Sequence, residues 1–532
     1  AEGKPVEVVY HQYHLSFLVV FQLLGFTYVL FTSTHTENHF KVSQAIFLAL
    51  QKNGYLYTET RPQWYSPGAR RFLPDRYVEG TCYICGFEGA RSDQCDNCGN
   101  VLEPDKLLNP RSKVDDSTPE LRNTEHYFLD LSKLEPEVVK FLRERQDHMR
   151  ETVLGQSLGQ IETEGLKPRA ITRDLDWGIP VPVEGWEGKC LYVWFEAVIG
   201  YLSATIEWAK ISGSEDAWKD WWTNPDAKTF HFIGKDNIFF HAAWWPAQLL
   251  GTGAQFLEVF AGESNQPLTL PYDVPANQFM NLEGRKISGS RNWVVDGLDA
   301  LTRYDPDALR YYLTINMPEN RDTDWDWKEF VARNNGELVA TWGNLANRVL
   351  SFCYKHWEGH VPDPGPLRPG DEELLATINA GFDIVSSLLS SVKLRPALQE
   401  TLRLATEVNK YLDVTAPWSA IKTDKAEAAK TIYTALRAID SLKTLFSPFL
   451  PFTCEKLHTF LGYDTPLFGE QYTETITDSL GTHTGLRYRE GNASGKWEPS
   501  QLTPGKVLRQ PAPLFKKLEE KVVEEERERL GK

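Results

Sequence analysis

The sequence has few cysteines and no excess of positive charge. It contains seven cysteines in 532 residues, and this odd number argues against a disulfide framework and favours a reducing compartment such as the cytoplasm. The net charge of −16 excludes a protein that coats nucleic acid through its overall field. The 57 lysines and arginines still permit local basic surfaces, so contact with RNA is not excluded.

Long apolar segments are also scarce. Residues 15–31 resemble a membrane element, but the segment is barely long enough to span a bilayer and is interrupted by Gln22, Gly25 and Thr27. Almost no basic residues precede it and no clear cleavage site follows it. We interpret it as a buried helix that runs into a strand, with a membrane or signal segment as the alternative. No internal repeat is evident, and a chain of 532 residues requires several domains.

The hydrophobic pattern divides the chain into an α/β part and a helical part. A helix over 42–53 is predicted to end at Gly54. Further along, alternation of strands and helices predicts a parallel sheet covered by helices, with ligands at the carboxyl ends of its strands. The predicted elements are strands over 190–193, 229–233 and 256–260, helices from near Phe195 and over 238–250, an antiparallel helical bundle over 328–461, a polar stretch over 469–510 and a charged helix over 513–530.

Four cysteines form two close pairs with metal-site spacing. Within each pair two residues separate the cysteines, and a glycine, Gly86 or Gly99, follows directly and lets the backbone turn around the sulfurs. Two such pairs indicate one tetrahedral zinc, whereas buried free thiols are the alternative. Four thiolates leave no open position for water, so the zinc is expected to be structural. The ligands are Cys82, Cys85, Cys95 and Cys98.

Two segments have a composition that suits phosphate binding. HFIGKD at 231–236 ends a predicted strand, and GRKISGS at 284–290 is a polar loop. Lysine and hydroxyl groups in such a loop can neutralise the charge that develops when the α-phosphorus of ATP is attacked. Taken alone, a loop of this composition is more often a polar turn.

Together these segments resemble class I aminoacyl-tRNA synthetases, and over nearly its whole length the chain is similar to the methionyl-tRNA synthetase family. GRKISGS is similar to the mobile KMSKS loop of that class. RFLPDR at 71–76, leading into the cysteine pairs, is similar to the family's knuckle insertion, in which some members carry two further cysteine pairs. Those positions here are Ser66 with Ala69 and Ser112 with Asp115, so a second zinc is not expected.

The resemblance implies an α/β fold with a Rossmann-like class I catalytic domain, a zinc-knuckle insertion and a C-terminal α-helical bundle. It implies a cytoplasmic monomer that activates methionine with ATP and Mg²⁺ and transfers it to tRNA(Met), with no membrane or DNA partner. The implied regions are the first Rossmann half at 1–60, the insertion at 61–185, the second Rossmann half at 186–262, the KMSKS and stem-contact region at 263–330, the anticodon bundle at 331–465 and a tail with a helix at 466–532.

By the same resemblance, two segments line the methionine side-chain pocket. Aromatic walls suit a flexible, polarisable thioether, and one polar group could select sulfur over carbon. In a chain with 17 tryptophans, however, any single aromatic is more often part of the core, and a lone histidine is more often a satisfied core residue. The implied pocket residues are Trp194, Ala197, Tyr201, Asn237, His241 and Trp245.

The resemblance also implies the ATP site. Arg173 lies in ITRDLDWGIP, which is similar to the ISRxxxWG element of several class I synthetases, where the arginine helps to organise the adenylate. A surface salt bridge is the alternative. Catalysis is assigned to Lys286 and Arg173, and ATP binding to Gly234, Asp236, Lys286, Ile287, Ser288, Gly289 and Ser290.

The anticodon residues are implied in the helical region. Asn344 and Arg348 lie four residues apart and therefore share one helix face, while Pro417 and Trp418 begin another helix. By resemblance these residues read the CAU anticodon, with the tryptophan stacked on a base and the polar pair bonded to base edges. A helix-interface pair and a buried tryptophan are the alternative.

Three features depart from the family pattern. Gly289 replaces the second lysine of KMSKS, and no HIGH sequence occurs; HQYH at 11–14 is the nearest match. Residues 31–42 resemble the strand that ends in TGTDEHG, with uncharged Thr36 where an acid receives the substrate ammonium. We therefore expect an incomplete first Rossmann half and little methionine-dependent pyrophosphate exchange.

Two alternative functions stay open. The missing HIGH sequence favours a tRNA-binding protein that cannot form the adenylate. A class I synthetase for leucine, valine or isoleucine is the other alternative, against which stand the knuckle, the aromatic pocket and the absence from the sequence of a large editing insertion.

Overall fold

The structure is a computed structural model that describes residues 4–74, 77–92, 95, 97, 98, 102, 104–263 and 266–532. Helices dominate it, and π-helical turns occupy Phe240–Trp244 and Asn334–Gly343. The helices are α1 (Val6–Leu23), α2 (Glu37–Lys52), α3 (Glu135–Arg143), α4 (Glu151–Glu164), α5 (Val193–Glu196), α6 (Gly200–Ile211), α7 (Lys219–Trp222), α8 (Trp245–Thr252), α9 (Gln255–Ala261), α10 (Gly297–Arg303), α11 (Pro306–Ile315), α12 (Trp327–Arg333), α13 (Asn344–His356), α14 (Pro369–Ser390), α15 (Leu394–Thr415), α16 (Pro417–Ala420), α17 (Lys425–Phe446), α18 (Pro451–Phe460) and α19 (Lys521–Arg529).

The strands are mostly short. They are β1 (Leu56–Ser66), β2 (Arg71–Phe72), β3 (Val78–Thr81), β4 (Ala90–Arg91), β5 (Leu108–Ser112), β6 (Glu120–Leu129), β7 (Arg169–Ala170), β8 (Thr172–Arg173), β9 (Cys190–Leu191), β10 (Ile233–Gly234), β11 (Ala276–Asn277), β12 (Met280–Leu282), β13 (Thr323–Trp325), β14 (Glu470–Asp478) and β15 (Gly481–Arg489).

The chain forms two compact units. The first unit contains the residues up to Ser33 together with Pro275–Thr477 and Thr482–Lys532, and the second contains Thr34–Val274 and Asp478–Gly481. The largest sheet of the second unit has the order β2-β1-β6-β7. Within it β1 and β6 are antiparallel along their length, from Leu56 opposite Leu129 to Tyr65 opposite Glu120.

Helix α2 confirms the helix predicted over 42–53, but it begins earlier because Thr36 caps it. The Thr36 hydroxyl accepts a hydrogen bond from the His39 backbone N–H at 3.0 Å, so the backbone turns helical at Glu37. The strand predicted over 31–42 is therefore wrong for most of its length. One β-bridge lies in this segment, between Phe31 and Leu486 in the first unit.

The strands predicted at 190–193 and 229–233 are shorter than expected. Strand β9 covers two residues of the first, and β10 covers the end of the second. Before β10, Phe230 makes a parallel bridge to Asp273, and the His231 N–H donates to the Asp273 carbonyl at 3.0 Å. Parallel pairing is thus present beside HFIGKD, but the long sheet of this unit is antiparallel.

The strand predicted at 256–260 is wrong, because this segment is helix α9. Phe256 and Phe260 lie one helical turn apart and their rings stack with centroids 5.2 Å apart. Gly262 then ends the helix with a left-handed φ of 69°. A short apolar run fits a buried strand or a buried helix equally well, and tertiary packing decided between them.

Helices α12 to α18 confirm the bundle predicted over 328–461. Helices α14, α15 and α17 pack together, and α17 is buried along nearly its whole length. The core of this unit includes Trp327, Trp342 and Phe446, each with no more than 1% of its surface exposed. The apolar spacing that predicted the helices is therefore the packing face of the bundle.

The C-terminal region is only partly as predicted. The polar stretch over 469–510 contains the two-stranded sheet of β14 and β15, which the sequence analysis missed. The helix predicted over 513–530 is confined to α19. Before α19 the chain is held outside a helix, because the Leu518 N–H donates to the Asn335 side chain and the Lys516 carbonyl accepts from Asn334.

Helix α1 is not the buried helix that was predicted. Leu18 is buried, but Leu15 and Phe17 are 48% and 54% exposed. Gly25, with φ of 69°, follows the end of the helix. Among the described residues, no helix combines the length and apolar character that crossing a bilayer requires.

Candidate active site, metal centre and anticodon surface

The polar centre of the candidate methionine pocket lies in the second unit, where α6 faces the π-helical turn before α8. The Tyr201 hydroxyl lies 2.8 Å from Nε2 of His241, and Nδ1 of His241 lies 2.9 Å from the Asn237 carbonyl oxygen. A carbonyl can only accept, so Nδ1 carries the proton and Nε2 accepts from Tyr201. Burial lowers the pKa of His241 and raises the pKa of Tyr201 to about 12, so both side chains are neutral at pH 7.

The aromatic walls come from the predicted residues and from neighbours that were not predicted. Trp194, half-buried, stacks on Phe240 with ring centroids 4.3 Å apart. The His231 ring lies 4.3 Å from that of Tyr201. Trp245 is fully buried, so it supports the pocket from the core instead of lining its surface. Phe240 and His231 adjoin or lie within segments that the sequence analysis had selected, and that proximity was the available signal.

His231 is one of the polar groups of this region that lack a hydrogen-bond partner among the described residues, together with the indole nitrogens of Trp244 and Trp245. Its Nδ1 is buried and has no hydrogen-bond partner among the described residues. Burial, with a smaller contribution from His241, lowers the pKa of His231 to about 3, so the imidazole is neutral. An unpartnered buried nitrogen costs about 1–3 kcal/mol unless a ligand or water meets it.

The other pocket residues are positioned by their elements. Ala197 lies in the 3₁₀ turn Ala197–Ile199 between α5 and α6, and Asn237 ends the 3₁₀ turn Lys235–Asn237. The structure thus brings Tyr201, Asn237 and His241 into one hydrogen-bonded chain. A core network holds α2 against α6, since His39 contacts Ser203 Oγ at 2.7 Å through Nδ1.

Thr36 stands where the family resemblance places an acid, and its hydroxyl is already used within the protein. Its side chain is 1% exposed, and its hydroxyl accepts the helix-capping hydrogen bond. The residue that stands at the expected acid position therefore has a structural task in the described conformation.

Arg173 is held by backbone carbonyls and an aromatic ring. Its Nη1 donates to the carbonyls of Thr172 at 2.8 Å and Ala170 at 3.1 Å, and its guanidinium lies 4.0 Å from the Tyr192 ring centroid. The neighbouring carboxylate of Asp174 pairs with Lys189 at 2.6 Å. Arg173 is therefore a fixed planar cation with donors suited to phosphate.

HFIGKD forms a tight turn at the end of β10. A Cβ at Gly234 would lie 2.8 Å from Oδ1 of Asp236, so a side chain there would displace the carboxylate. Asp236 itself is exposed. Glycine at this position permits the acid to fold back over the backbone.

The GRKISGS loop lies in the first unit and is closed at its base. Ser288 and Trp293 exchange two backbone hydrogen bonds of 2.9 Å, and the Trp293 indole N–H donates to the Leu282 carbonyl at 2.8 Å. Lys286 and Ile287 lie on the exposed part of the loop. The loop thus presents its lysine to solvent from a fixed base.

Gly289 and Ser290 lie at the far end of this loop. A Cβ at Gly289 would meet no atom within 4 Å, so the position has room for a longer side chain. The side chain of Ser290 lies outside the described residues.

The four predicted cysteines converge in the second unit. Their sulfurs lie within 4.8 Å of one another, with Cys82 to Cys98 at 4.0 Å and Cys85 to Cys95 at 3.6 Å. Four sulfurs at about 2.3 Å from a tetrahedral zinc would be about 3.8 Å apart, so the cluster fits this ion. The Ile84 N–H points at the Cys82 sulfur at 3.4 Å, as expected for a thiolate ligand.

The four positions compared above with further cysteine pairs are joined by hydrogen bonds. Ser66 donates to Asp115 Oδ2 at 2.7 Å, and the Ala69 N–H donates to Ser66 at 2.9 Å. The hydroxyls of Ser112 and Ser66 hold the pKa of Asp115 well below its ordinary value. This part of the insertion is joined by hydroxyls and a carboxylate.

The residues predicted to read the anticodon lie near one another in the first unit. Asn344 and Arg348 lie on α13, with Asn344 exposed, and the Arg348 guanidinium is 4.3 Å from the ring centroid of Trp418. Pro417 begins α16 after Ala416, whose φ of 38° turns the chain. Phe352, which was not predicted, packs edge-on against Trp418 at 6.0 Å. The half-buried tryptophan therefore has fixed neighbours on α13.

Comparisons with known proteins cover almost the whole chain. Residues 1–350 match the family described as tRNA synthetases class I (M), and residues 361–532 match the anticodon binding domain of methionyl tRNA ligase. A methionine–tRNA ligase of Thermomicrobium roseum is 50% identical over 99% of this chain and 88% of its own length. Another from Chloroflexus aggregans is 51% identical over 95% of this chain and 85% of its own length.

A solved structure has the same fold. The crystal structure of Mycobacterium tuberculosis methionyl-tRNA synthetase bound by methionyl-adenylate aligns with a TM-score of 0.71 and 22% identity, covering 97% of this chain and 88% of that one. The class I catalytic fold with a helical C-terminal domain is thereby confirmed. By these matches the chain belongs to the methionyl-tRNA synthetase family, the methionine–tRNA ligases of class I.

Proposed function

We propose that the chain is a methionine–tRNA ligase, which activates methionine with ATP and transfers it to a tRNA with a CAU anticodon. The family carries this proposal, and the structural observation that supports it best is the neutral chain of Tyr201, His241 and Asn237 within aromatic walls. Neither alternative function has a comparable observation in its favour.

The chemistry of the pocket supports methionine binding. The Tyr201 proton is donated to His241, so the tyrosine meets a substrate with its ring and with oxygen lone pairs. Aromatic faces such as that of Trp194 attract a polarisable sulfur. With its proton on Nδ1, His231 would donate a hydrogen bond to a thioether, which accepts weakly, and would thus distinguish it from a methylene.

In this proposal, two cationic side chains bind and activate ATP. Lys286 and Arg173 would stabilise the charge that develops at the α-phosphorus, with Mg²⁺ bound to the triphosphate. Gly234 and Asp236 at the end of β10, and residues 287–290 of the loop, complete the ATP contacts in this proposal. No covalent enzyme intermediate is needed, because positioning and electrostatics suffice for attack of the methionine carboxylate.

Recognition of tRNA rests on the anticodon surface. Trp418, supported by Phe352 and Arg348, offers a face on which an unpaired base would stack. Asn344 and Arg348 would bond to base edges, which carry the sequence information. Because the chain is acidic overall, binding requires such local sites and should weaken with salt.

Zinc completes the proposal as a structural ion. One Zn²⁺ held by Cys82, Cys85, Cys95 and Cys98 would stabilise the insertion, which has few other core residues. Thiolate ligands require reducing conditions, which supports a cytoplasmic location.

The proposal is tested by ligand preference. Purified protein should bind methionine in preference to leucine, isoleucine and valine in equilibrium dialysis, and CAU-bearing tRNA in preference to the same tRNA with a changed anticodon in filter binding. Preferential binding of leucine, or equal binding of both tRNAs, would contradict it.

A further inference from the structure

A single helical run extends from Trp327 to His356, and its middle part is π-helical. Helix α12 leads directly into the π-helical segment Asn334–Gly343, which leads directly into α13. Ten residues is long for a π-helix, which occurs mostly as a single turn within an α-helix and frequently at a functional site. Hydrogen bonds that span five residues give more residues per turn than an α-helix has, so this segment changes the direction in which every later side chain of the run points.

Asn344 and Arg348 take their orientation from this π-helix. The Asn344 N–H donates to the Val339 carbonyl, five residues back, so the π-helical bonding pattern includes Asn344 itself. One turn later, the Arg348 guanidinium lies 4.3 Å from the ring centroid of Trp418. If the segment before them were α-helical, both side chains would be rotated about the helix axis relative to α12.

The C-terminal chain is bonded to the first turn of the π-helix through residues 515–518. Asn335 exchanges two hydrogen bonds of 2.9 Å with Leu518, since its side chain donates to the Leu518 carbonyl and accepts from the Leu518 N–H. Buried Asn334 donates to the Lys516 carbonyl at 3.1 Å. Side-chain amides thus bind the backbone of the 515–518 segment where the π-helix begins.

The same segment packs against the last residue of the π-helix. A Cβ at Gly343 would lie 2.9 Å from Cδ2 of Phe515 and 3.0 Å from the Leu338 carbonyl oxygen, so the ring lies directly on the glycine. The φ of Gly343 is −63°, which any residue can adopt. The contact with Phe515 and the π-helical carbonyl, and not an unusual backbone conformation, therefore accounts for glycine at this position.

We propose that the 515–518 segment selects the π-helical register of this run, which makes Asn335 a positioning residue for anticodon reading by α13. The segment holds the π-helix at both ends, at Asn335 and at Gly343. An α-helical path between these two points has a different rise and rotation per residue and would displace one of the two attachments. This inference rests on the proposed function, because it concerns how the anticodon is read.

Asn335→Ala tests the attachment at the start of the π-helix, because it removes both hydrogen bonds to Leu518. The matched control is Asn316→Ala. Asn316 is also half-buried in the first unit and donates from Nδ2 to the Asp324 carbonyl at 2.6 Å, but it lies outside the π-helix and α13. The control therefore removes an amide hydrogen bond of the same kind at a place without this role.

Gly343→Ala tests the attachment at the end of the π-helix, because the added methyl group would meet Phe515 and the Leu338 carbonyl. The matched control is Gly336→Ala in the same π-helix, where a Cβ would meet no atom within 4 Å. Alanine favours a helix more than glycine does, so neither substitution weakens the run through helix propensity. If Gly343→Ala fails to fold, Asn335→Ala, which adds no atoms, keeps the test valid.

Each protein is titrated with CAU-bearing tRNA and with the same tRNA carrying a changed anticodon. We expect Asn335→Ala and Gly343→Ala to reduce the preference for CAU roughly three- to tenfold, because base-edge contacts carry the discrimination and depend on the orientation of α13. Asn316→Ala and Gly336→Ala should keep the wild-type preference. Thermal unfolding checks that each variant is folded, and methionine binding in equilibrium dialysis should be unchanged in all four.

A positioning role is separated from a purely structural one by combining substitutions. In a protein that carries both Asn344→Ala and Arg348→Ala, adding Asn335→Ala should weaken binding of CAU-bearing tRNA no further, because the groups that Asn335 positions are already absent. A further loss would contradict the inference, since Asn335 would then act on another contact.

An unchanged preference in folded Asn335→Ala and Gly343→Ala would overturn the inference, because the core packing of α13 alone would then orient its polar side chains. An equal loss on both RNAs would refute it as well, because the 515–518 segment would then support tRNA binding as a whole. If the wild-type protein does not distinguish the two RNAs, the proposed anticodon function fails together with the inference. Normal discrimination by the wild type and by both variants marks failure of the inference alone.

Discussion

Gly289 replaces the second lysine of KMSKS, and the structure shows that a lysine fits there. The glycine lies in the short turn Gly289–Arg291, is exposed, and has no atom within 4 Å of the place of a Cβ. Its φ is outside the left-handed region that favours glycine. Gly289→Lys should therefore fold normally, and loss of unfolded-state freedom could add about 0.4–1 kcal/mol of stability.

The expected effect of Gly289→Lys on the affinity for ATP depends on how exposed the loop is. Two unit charges 4 Å apart interact by about 1 kcal/mol in water and by about 4 kcal/mol at the effective dielectric of a protein surface. Ile287 is 45% exposed and Lys286 is exposed, so the lower figure applies to the open loop. A gain of about 1 kcal/mol corresponds to roughly fivefold tighter binding.

The assay is calorimetric titration with a non-hydrolysable ATP analogue. We expect Gly289→Lys to tighten binding about fivefold near 50 mM salt and clearly less near 300 mM, because salt screens exposed charges. Gly289→Gln has similar length without charge and should bind like the wild type. If the glutamine variant matches the lysine variant, or if lysine changes nothing, this loop does not meet the triphosphate and its proposed role is wrong.

Four further outcomes are expected. Trp418→Ala should weaken binding of CAU-bearing tRNA by about 1–3 kcal/mol in filter binding. Elemental analysis should find one zinc per chain, and Cys95→Ser should release it. His231→Phe should reduce the preference for methionine over norleucine, measured by competition dialysis, by about 1 kcal/mol. Finally, burial and the Lys443 charge lower the pKa of His458 to about 4, so urea unfolding should show stability falling as pH drops from about 6.5 to 4.

Each of these outcomes has a result that contradicts it. Equal tRNA binding by the Trp418 variant means that the stacking face lies elsewhere, and two zincs per chain mean a second site. If His231→Phe keeps the wild-type preference for methionine over norleucine, the His231 nitrogen does not recognise sulfur. For His458 the folded state binds fewer protons than the unfolded state between the two pKa values, so stability must rise with pH there. A His458→Gln variant should lose this contribution, and an unchanged slope would locate the titrating group elsewhere.

The sequence predicted best those features that depend on local spacing. The two cysteine pairs needed only their own turns to place four sulfurs within 4.8 Å, and Asn344 with Arg348 needed only a helix. The bundle was predictable because its apolar residues recur at helical spacing over many turns. In these cases the spacing of the residues along the chain determines their arrangement in space.

The failures depend on contacts between distant segments. Nothing near Phe256 distinguishes a helix from a strand, and the decision came from packing. Thr36 became a helix cap, so a residue matched to a ligand position was used by the backbone instead. Leu15 and Phe17 were predicted as buried from composition, but composition does not specify which surface covers a helix.

In the candidate pocket, selecting a residue from the sequence did not establish what its atoms bind. His241 was selected as a pocket residue, yet both its nitrogens are bonded within the protein, and its neighbour His231 holds the open nitrogen. The two neutral histidines and neutral Tyr201 leave the polar centre of the pocket without charge at pH 7. A charged side chain would lose its hydration there without gaining a partner, which excludes acidic and basic amino acids. Selection of methionine by this pocket would therefore rest on shape, aromatic contact and hydrogen bonding, and the charge for the phosphate chemistry would have to come from residues outside this centre.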